Sequence, residues 1–241
     1  MSLEVAKIII SENTLLFSKP SDFNDPFDCD VDIVDFNFNK LIDVKVADEI
    51  KYIKSVYSSQ GKDNSIFEDK NFLQRLFRNA QIAKINSFGI CCFSLKYDIV
   101  LMWSHYADKH MGICLGFNNM LTGKFINLTE EDISEGQVEY KAREKINYVS
   151  ENRYFAIRKL FLSKSKSWSH EKEYRMITLR EKPKIQRFNP KFLSEVYFGL
   201  RVAEDQIRSF ISLCSLNGLN HLKFYRASKH NLSIKFHQIQ N

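Results

Sequence analysis

Two carboxylates and a guanidinium alternate in the stretch WSHEKEYR: Glu171, Glu173 and Arg175. On a strand that begins near Glu171, side chains alternate between faces, so these three lie on one side. Two carboxylates on one face repel unless a cation holds them, and Arg175 has the parity to be that cation. The plainer reading is a surface ladder of alternating charges.

A second group lies in LMWSHYADKHMGICLGF, residues 101–117. On a helix from Asp98 through Asp108, Leu101, His105 and Asp108 share one face, Met102 and Tyr106 the next, and Trp103 points elsewhere. His110 follows the helix, and a tight turn at Gly112 would bring it back toward the helix end. Imidazole serves as acid, base, donor or metal ligand near neutral pH. The same residues also suit a packed corner whose rings and nearby carbonyls satisfy one another. His105, His110 and an aspartate lack the His-x-x-x-His spacing of two ligands on one helix, so no metal site is assigned.

FNDPFD gathers Asn24, Asp25 and Asp28 within six residues. Pro26 biases Asp25 away from helix, and Asn and Asp side chains bond nearby amides, which predicts a turn. Such a loop would bind a ribose or a cation, line the mouth of a cleft, or simply point a strand end outward.

The chain that must position these groups has 241 residues, 44% hydrophobic and 27% charged, the composition of a soluble globular protein. Twenty Phe against two Trp imply an aromatic-rich core. No stretch reaches the roughly twenty uncharged apolar residues of a membrane span. MSLEVAKIII lacks the parts of a signal peptide, and a cytoplasmic protein is expected. Five cysteines are an odd count with no Cys-x-x-Cys pair, which fits free thiols in a reducing compartment. Adjacent Cys91 and Cys92 would point to opposite faces of a strand. The net charge of +6 is unevenly placed. From Pro20 to Lys70 twelve acidic residues face six basic ones, whereas from Arg158 to Lys191 eleven basic residues face three acidic ones. The basic half is either a solvated face or a surface for nucleic acid or another anionic partner.

Periodicity supplies the elements. VAKIII followed by TLLFSKP reads as a helix running into a short strand. Ile42, Val46, Ile50, Ile53 and Tyr57 recur at helical spacing. Ser65 stands three residues before Glu68, the spacing of a capping box, ahead of a helix with Phe72, Leu76, Phe77 and Ala80 on one side. GICCFS and GICLGF read as strands either side of a short helix capped by Asp98. QVEYK, EYRMITLR and SEVYFG add strands. Ser150 would cap a helix to about Lys164 with Tyr154, Ile157, Leu160 and Phe161 on one face. AEDQIRSFISLCSLNG is a helix with an acidic first turn and Gly218 at its end. HLKFYRAS and LSIKFHQI close the chain as a hairpin. No repeat or linker divides the sequence, which predicts a single α+β domain over 1–241 with a central, mostly antiparallel sheet and flanking helices.

FSKPSDFNDPFDC, CFS with LMWSHYADKHMGICLGF, and SWSHEKEYR together resemble the domain-of-unknown-function 2971 family of bacterial and phage-borne proteins. The family pattern is F-N-D-P-F-D, C-F-S, L-M-W-x-H-Y-A-D-x-H-x-G and W-x-x-E-x-E-x-R, and the resemblance spans about Leu15 to Gly199. It implies a further short strand of the L-Y-K-Y-R type upstream of the first helix, which this chain does not show. The Glu-x-Glu on a late strand is similar in turn to ADP-ribosyltransferases, a mixed α+β fold that holds NAD across a cleft. That similarity implies Glu173 as the catalytic carboxylate, Glu171 positioning the acceptor, and Ser94 on the middle strand. His105 would join the catalytic group. Tyr106, His110, Trp103, Asn24, Asp25 and Arg175 would contact a nucleotide-like substrate, with NAD as the substrate and no firm cofactor. Glu173→Gln would then abolish turnover with the fold intact. Two other readings stay open: a binding module that engages nucleic acid or a protein through Arg158–Lys191, and a metal-assisted hydrolase using His105 and His110.

Overall fold

The computed structural model describes residues 1–38, 44–62, 64–118, 124–126, 128–129, 132–149, 151–178 and 184–239. In chain order, helix α1 (Leu3–Glu12) leads to strands β1 (Thr14–Leu16) and β2 (Val34–Asp35), then helices α2 (Val44–Ser59) and α3 (Lys70–Ser87). Strand β3 (Ile90–Ser94), helix α4 (Val100–Tyr106) and strand β4 (Ile113–Phe117) follow. Next come β5 (Ile133–Gln137), β6 (Glu139–Tyr140), β7 (Ile146–Asn147), helix α5 (Arg153–Phe161) and β8 (Ser163–Lys164). The last part holds β9 (Glu173–Thr178), β10 (Ile185–Arg187), β11 (Leu193–Phe198), helix α6 (Glu204–Leu216), β12 (Lys223–His230) and β13 (Ser233–Ile239). The fold class is α+β, as the sequence predicts. No helix among the described residues is long and apolar enough to cross a membrane.

The elements gather into two compact units, each built from separated stretches of chain. The first comprises Met1–Ser18, Ile90–Gln137 and Ser167–Asn241. Its larger sheet runs β13-β12-β11-β4, antiparallel except for the β11–β12 pair, which α6 connects. One face carries Ile113, Leu115, Val196, Phe198 and Phe224 against Ala6, Ile9 and Ile10 of α1 and Ile207, Phe210 and Cys214 of α6. Each of these large apolar side chains contributes roughly 1.5–3 kcal/mol by leaving water. The smaller sheet, β3-β9-β5, is antiparallel, and its Cys91, Met176 and Ile133 join the same core. The second unit, Lys19–Gly89 and Val138–Lys166, carries α2, α3 and α5 with the short parallel pairs β2–β7 and β6–β8. Leu73, Phe77, Gln81 and Ile85 recur every four residues on the buried side of α3. Gln81 is satisfied there by the Tyr148 hydroxyl, 2.9 Å away.

The element types hold where periodicity was strong, but three caps move. Asp69, not Ser65, caps α3 by accepting from the Asn71 amide. Asn152 caps α5 through Tyr154 N, and that helix stops at Phe161 because β8 begins two residues on. Ser150 and Ile42 lie outside the described residues. Tyr154 is exposed, so the buried face of α5 is Ala156, Ile157, Leu160 and Phe161. Ile99 occupies the N-cap of α4 without a side-chain bond, and Asp98 does not cap it. For α3 and α5 several Ser, Asp or Asn residues lie close to the helix start, and local chemistry alone does not choose among them. Gly218 does end α6, at φ +75°, where Leu219 N bonds back to the Cys214 carbonyl.

Gly199 follows β11 and lies against the turn after α4. Its amide donates to Gly112 O at 3.0 Å, and a Cβ there would drive into the His110 carbonyl. Backbone, unlike a flexible side chain, cannot give way. Gly199→Ala is expected to cost about 3 kcal/mol in urea unfolding, at the upper end for a single substitution.

Candidate functional site

Strand β9 begins at Glu173, not Glu171. Glu171 closes a 3-10 turn, Lys166–Glu171, and Lys172 between the two acids takes a left-handed φ of 49°. That residue breaks the strand parity expected of Glu171 and Glu173. Both acids are nevertheless buried, at 3% and 6% exposure, and neither belongs to a surface ladder.

Glu173 and Arg175 do share a face, and Arg175 is the cation the sequence predicts. Its guanidinium is fully buried and grips the carboxylate from one side, Nε to Oε1 at 2.7 Å and Nη2 to Oε2 at 2.9 Å. Paired charge-assisted bonds of this kind fix orientation as well as charge. The register sets Ser94 opposite Glu173 and Cys92 opposite Arg175, while Gly136 of β5 flanks Arg175 on its other side. These residues therefore share one face, with the buried Ile90 and Ile177 further along it, and Cys91, Met176 and Ile133 point the other way into the core. Cys92 is crowded by neighbours yet reached by solvent. Desolvation first, then the Glu173 charge, hold its thiol well above its ordinary pKa.

Glu171 is gripped from α4. The Tyr106 hydroxyl donates to Glu171 Oε1 at 2.5 Å, and Ser94 Oγ donates to the Glu171 carbonyl at 2.7 Å. Leu95 N reaches Lys172 O at 2.8 Å, which ties the end of β3 to the same corner. Tyr106 is 38% exposed, so the phenol links solvent to a buried acid.

Helix α4 stops at Tyr106, earlier than its sequence implies. Asp108, Lys109 and His110 all have positive φ, 46°, 53° and 71°. Asp108 therefore leaves the face of Leu101 and His105. The turn does return His110 to the helix: its amide bonds Trp103 O at 3.1 Å, and Nε2 lies 3.0 Å from Ser104 Oγ. His105 is exposed, its ring 6.3 Å from that of Tyr106. The structure thus brings His110 to Ser104 rather than to His105. Trp103 is buried, donates from Nε1 to Tyr97 O at 2.6 Å and packs on Phe236 and Tyr197. It anchors α4 to the larger sheet. Among the described residues, no group of three or more His, Cys, Asp or Glu is arranged to hold a metal.

Asn24 and Asp25 belong to the second unit. Asp25 is buried and accepts from Phe27 N at 3.0 Å, the turn the sequence predicts. Asp28 pairs with Lys164 at 3.2 Å, with side-chain exposures of 2% and 5%. The basic stretch from Arg158 to Lys191 is divided between the units, and its Lys164 and Arg175 sit in buried ion pairs. Sequence reading missed Cys92 beside Glu173, Ser104 beside His110, and a stack of Tyr97, Tyr197 and Tyr225 at 4.4 and 4.9 Å. Glu195 accepts from Tyr197 at 2.8 Å at the base of that stack. The first and third need the strand register, which periodicity does not supply.

Glu173→Gln would remove the carboxylate charge that the fully buried Arg175 guanidinium grips through two bonds. A loss of about 3–5 kcal/mol is expected in chemical denaturation, in contrast to the intact fold expected from sequence. His110 is held below its ordinary pKa, by burial first and by Arg201 second. The unfolded chain binds the proton more readily, so this residue's contribution to stability is present above pH ~6.5 and falls away below it. An NMR titration of the His110 ring should give a midpoint under that of a free histidine.

No curated protein and no solved structure matches this chain. Residues 102–176, from α4 into β9, match the family described as "Protein of unknown function (DUF2971)", and over that segment the chain carries the family resemblance that its motifs show.

Proposed function

We propose that the chain is an enzyme acting on a nucleotide-like substrate, with NAD as substrate and ADP-ribosyl transfer as the reaction, in bacterial defence or toxicity within the cytoplasm. The observation that supports this reading is the pair of buried carboxylates at the start of β9, each held by its own donor: Glu171 by Tyr106 and Glu173 by Arg175. In such a transfer the bond from ribose C1′ to the nicotinamide nitrogen breaks, and the electron pair leaves with nicotinamide. Positive charge then spreads over C1′ and the ring oxygen. Fixed carboxylates stabilise that charge without having to reorganise. The acceptor bonds to C1′ and releases its proton to a carboxylate, the role assigned to Glu171.

The geometry divides the two acids. Both Glu173 oxygens are occupied by Arg175, which makes Glu173 a fixed charge and a positioning residue. Glu171 is bonded by Tyr106, a residue that reaches solvent, and this reading sets it beside the substrate. Ser94 fixes the Glu171 backbone and so sets where that carboxylate lies.

The test is transfer of label from adenine-labelled NAD to protein, with nicotinamide release measured alongside. Glu171→Gln is expected to lower turnover about 100- to 1000-fold, the range for removing one preorganised group, with little change in melting temperature. Tyr106→Phe should lower turnover less and leave NAD binding within a few-fold. Wild-type activity in Glu171→Gln, or no NAD binding by the native chain, overturns the proposal. Nucleic-acid binding that weakens steeply with salt, without any change in a nucleotide, would instead support the binding-module reading.

A further inference from the structure

The second unit contains a shallow, open recess with the buried side chains of Ile146 and Leu160 among its walls. Lys141, Arg143 and Lys159 line it, with Glu144 as the carboxylate among the lining residues. The two lysines are held by Glu139 at 2.8 Å and Glu151 at 2.7 Å, and neither of those acids lines the recess. Arg143 differs from both. Its side chain is only 18% exposed, yet its ion contact, with Asp30, is 3.7 Å long and outside hydrogen-bond range. Its Nε is buried with no acceptor among the described residues.

A buried guanidinium N–H with no acceptor is costly, and the cost is returned by an acceptor brought in from outside. We propose that this recess binds a phosphate group through Arg143. The Nε edge of a guanidinium presents two parallel N–H groups to two oxygens of one oxyanion, a match that a lysine cannot make. Lys141 and Lys159 beside it are already paired with glutamates, so the fork of Arg143 carries the recognition, and its two N–H groups match two oxygens of a tetrahedral phosphate. The phosphate is either free inorganic phosphate or the phosphate of a nucleotide seated at the mouth. This inference does not rest on the reading of Glu171 and Glu173, which lie in the other unit.

The experiment uses the full chain, with the Arg143 Nε–H followed by ¹⁵N NMR as inorganic phosphate and adenosine monophosphate are titrated separately. The resonance should move and saturate at millimolar phosphate. Arg143→Lys, which keeps the charge facing Asp30 but loses the fork, should weaken apparent affinity about tenfold in thermal-shift titrations. Lys159→Gln, at the recess but outside the fork, should weaken it less. Tighter saturation by adenosine monophosphate assigns the phosphate to a nucleotide, and equal saturation assigns it to the free ion. An Arg143 signal that stays still in both titrations, or an unchanged response in Arg143→Lys, overturns the proposal.

Discussion

A guanidinium cannot be kept out of water without a counter-charge, and Arg175 is kept out of water entirely. That constraint organises the smaller sheet. Arg175 lies on the middle strand, so its partner must come from the same face, and Glu173 two residues back supplies it. The neighbouring positions accommodate the pair rather than compete with it: Gly136 adds no side chain on one side, and Cys92 adds a small one on the other. The alternate residues of β9 and β3 face the apolar core with Met176 and Cys91. One strand thus performs two tasks, closing a core on one face and holding fixed charge on the other.

Glu171 depends on a different device. Lys172 takes the left-handed backbone conformation that non-glycine residues adopt only when their surroundings require it. The chain turns there, and Glu171 is delivered to Tyr106 instead of lining up beside Glu173. Tyr106 in turn is the last residue of a short helix that Trp103 pins to the larger sheet and that three successive left-handed residues terminate. Among the bonds that hold the two carboxylates, that of Glu173 to Arg175 lies within a strand and that of Glu171 to Tyr106 runs across elements.

The apparent chemistry of the histidine-rich run is reduced by the same packing. Trp103 became an anchor, His105 an exposed ring and His110 a partner of Ser104, while Tyr106 alone reaches the acids. The FNDPFD motif likewise finds local uses, with Asp25 in its own turn and Asp28 against Lys164. Residue types capable of catalysis were abundant in the sequence, but burial and hydrogen bonding assign most of them to holding the structure.

The sequence by itself determined the α+β class, the strands GICCFS, GICLGF and EYRMITLR, the closing hairpin, and the pairing of Glu173 with Arg175. These follow from alternation and helical spacing, which act over a few residues and need no partner. It also predicted the return of His110 and the Gly218 helix end, since turns are local. Tertiary structure alone decided the rest. Whether Ser65 or Asp69 caps α3 depends on where the helix packs, and several candidates within a turn are nearly equal in energy. The left-handed Lys172 has no signature in residue type, because lysine is not a turn former and its conformation is imposed from outside. The placement of Ser94 and Cys92 beside Glu173 and Arg175 depends on strand register between segments some eighty residues apart. Register is fixed by the fit of whole faces, and no single stretch of sequence contains that fit.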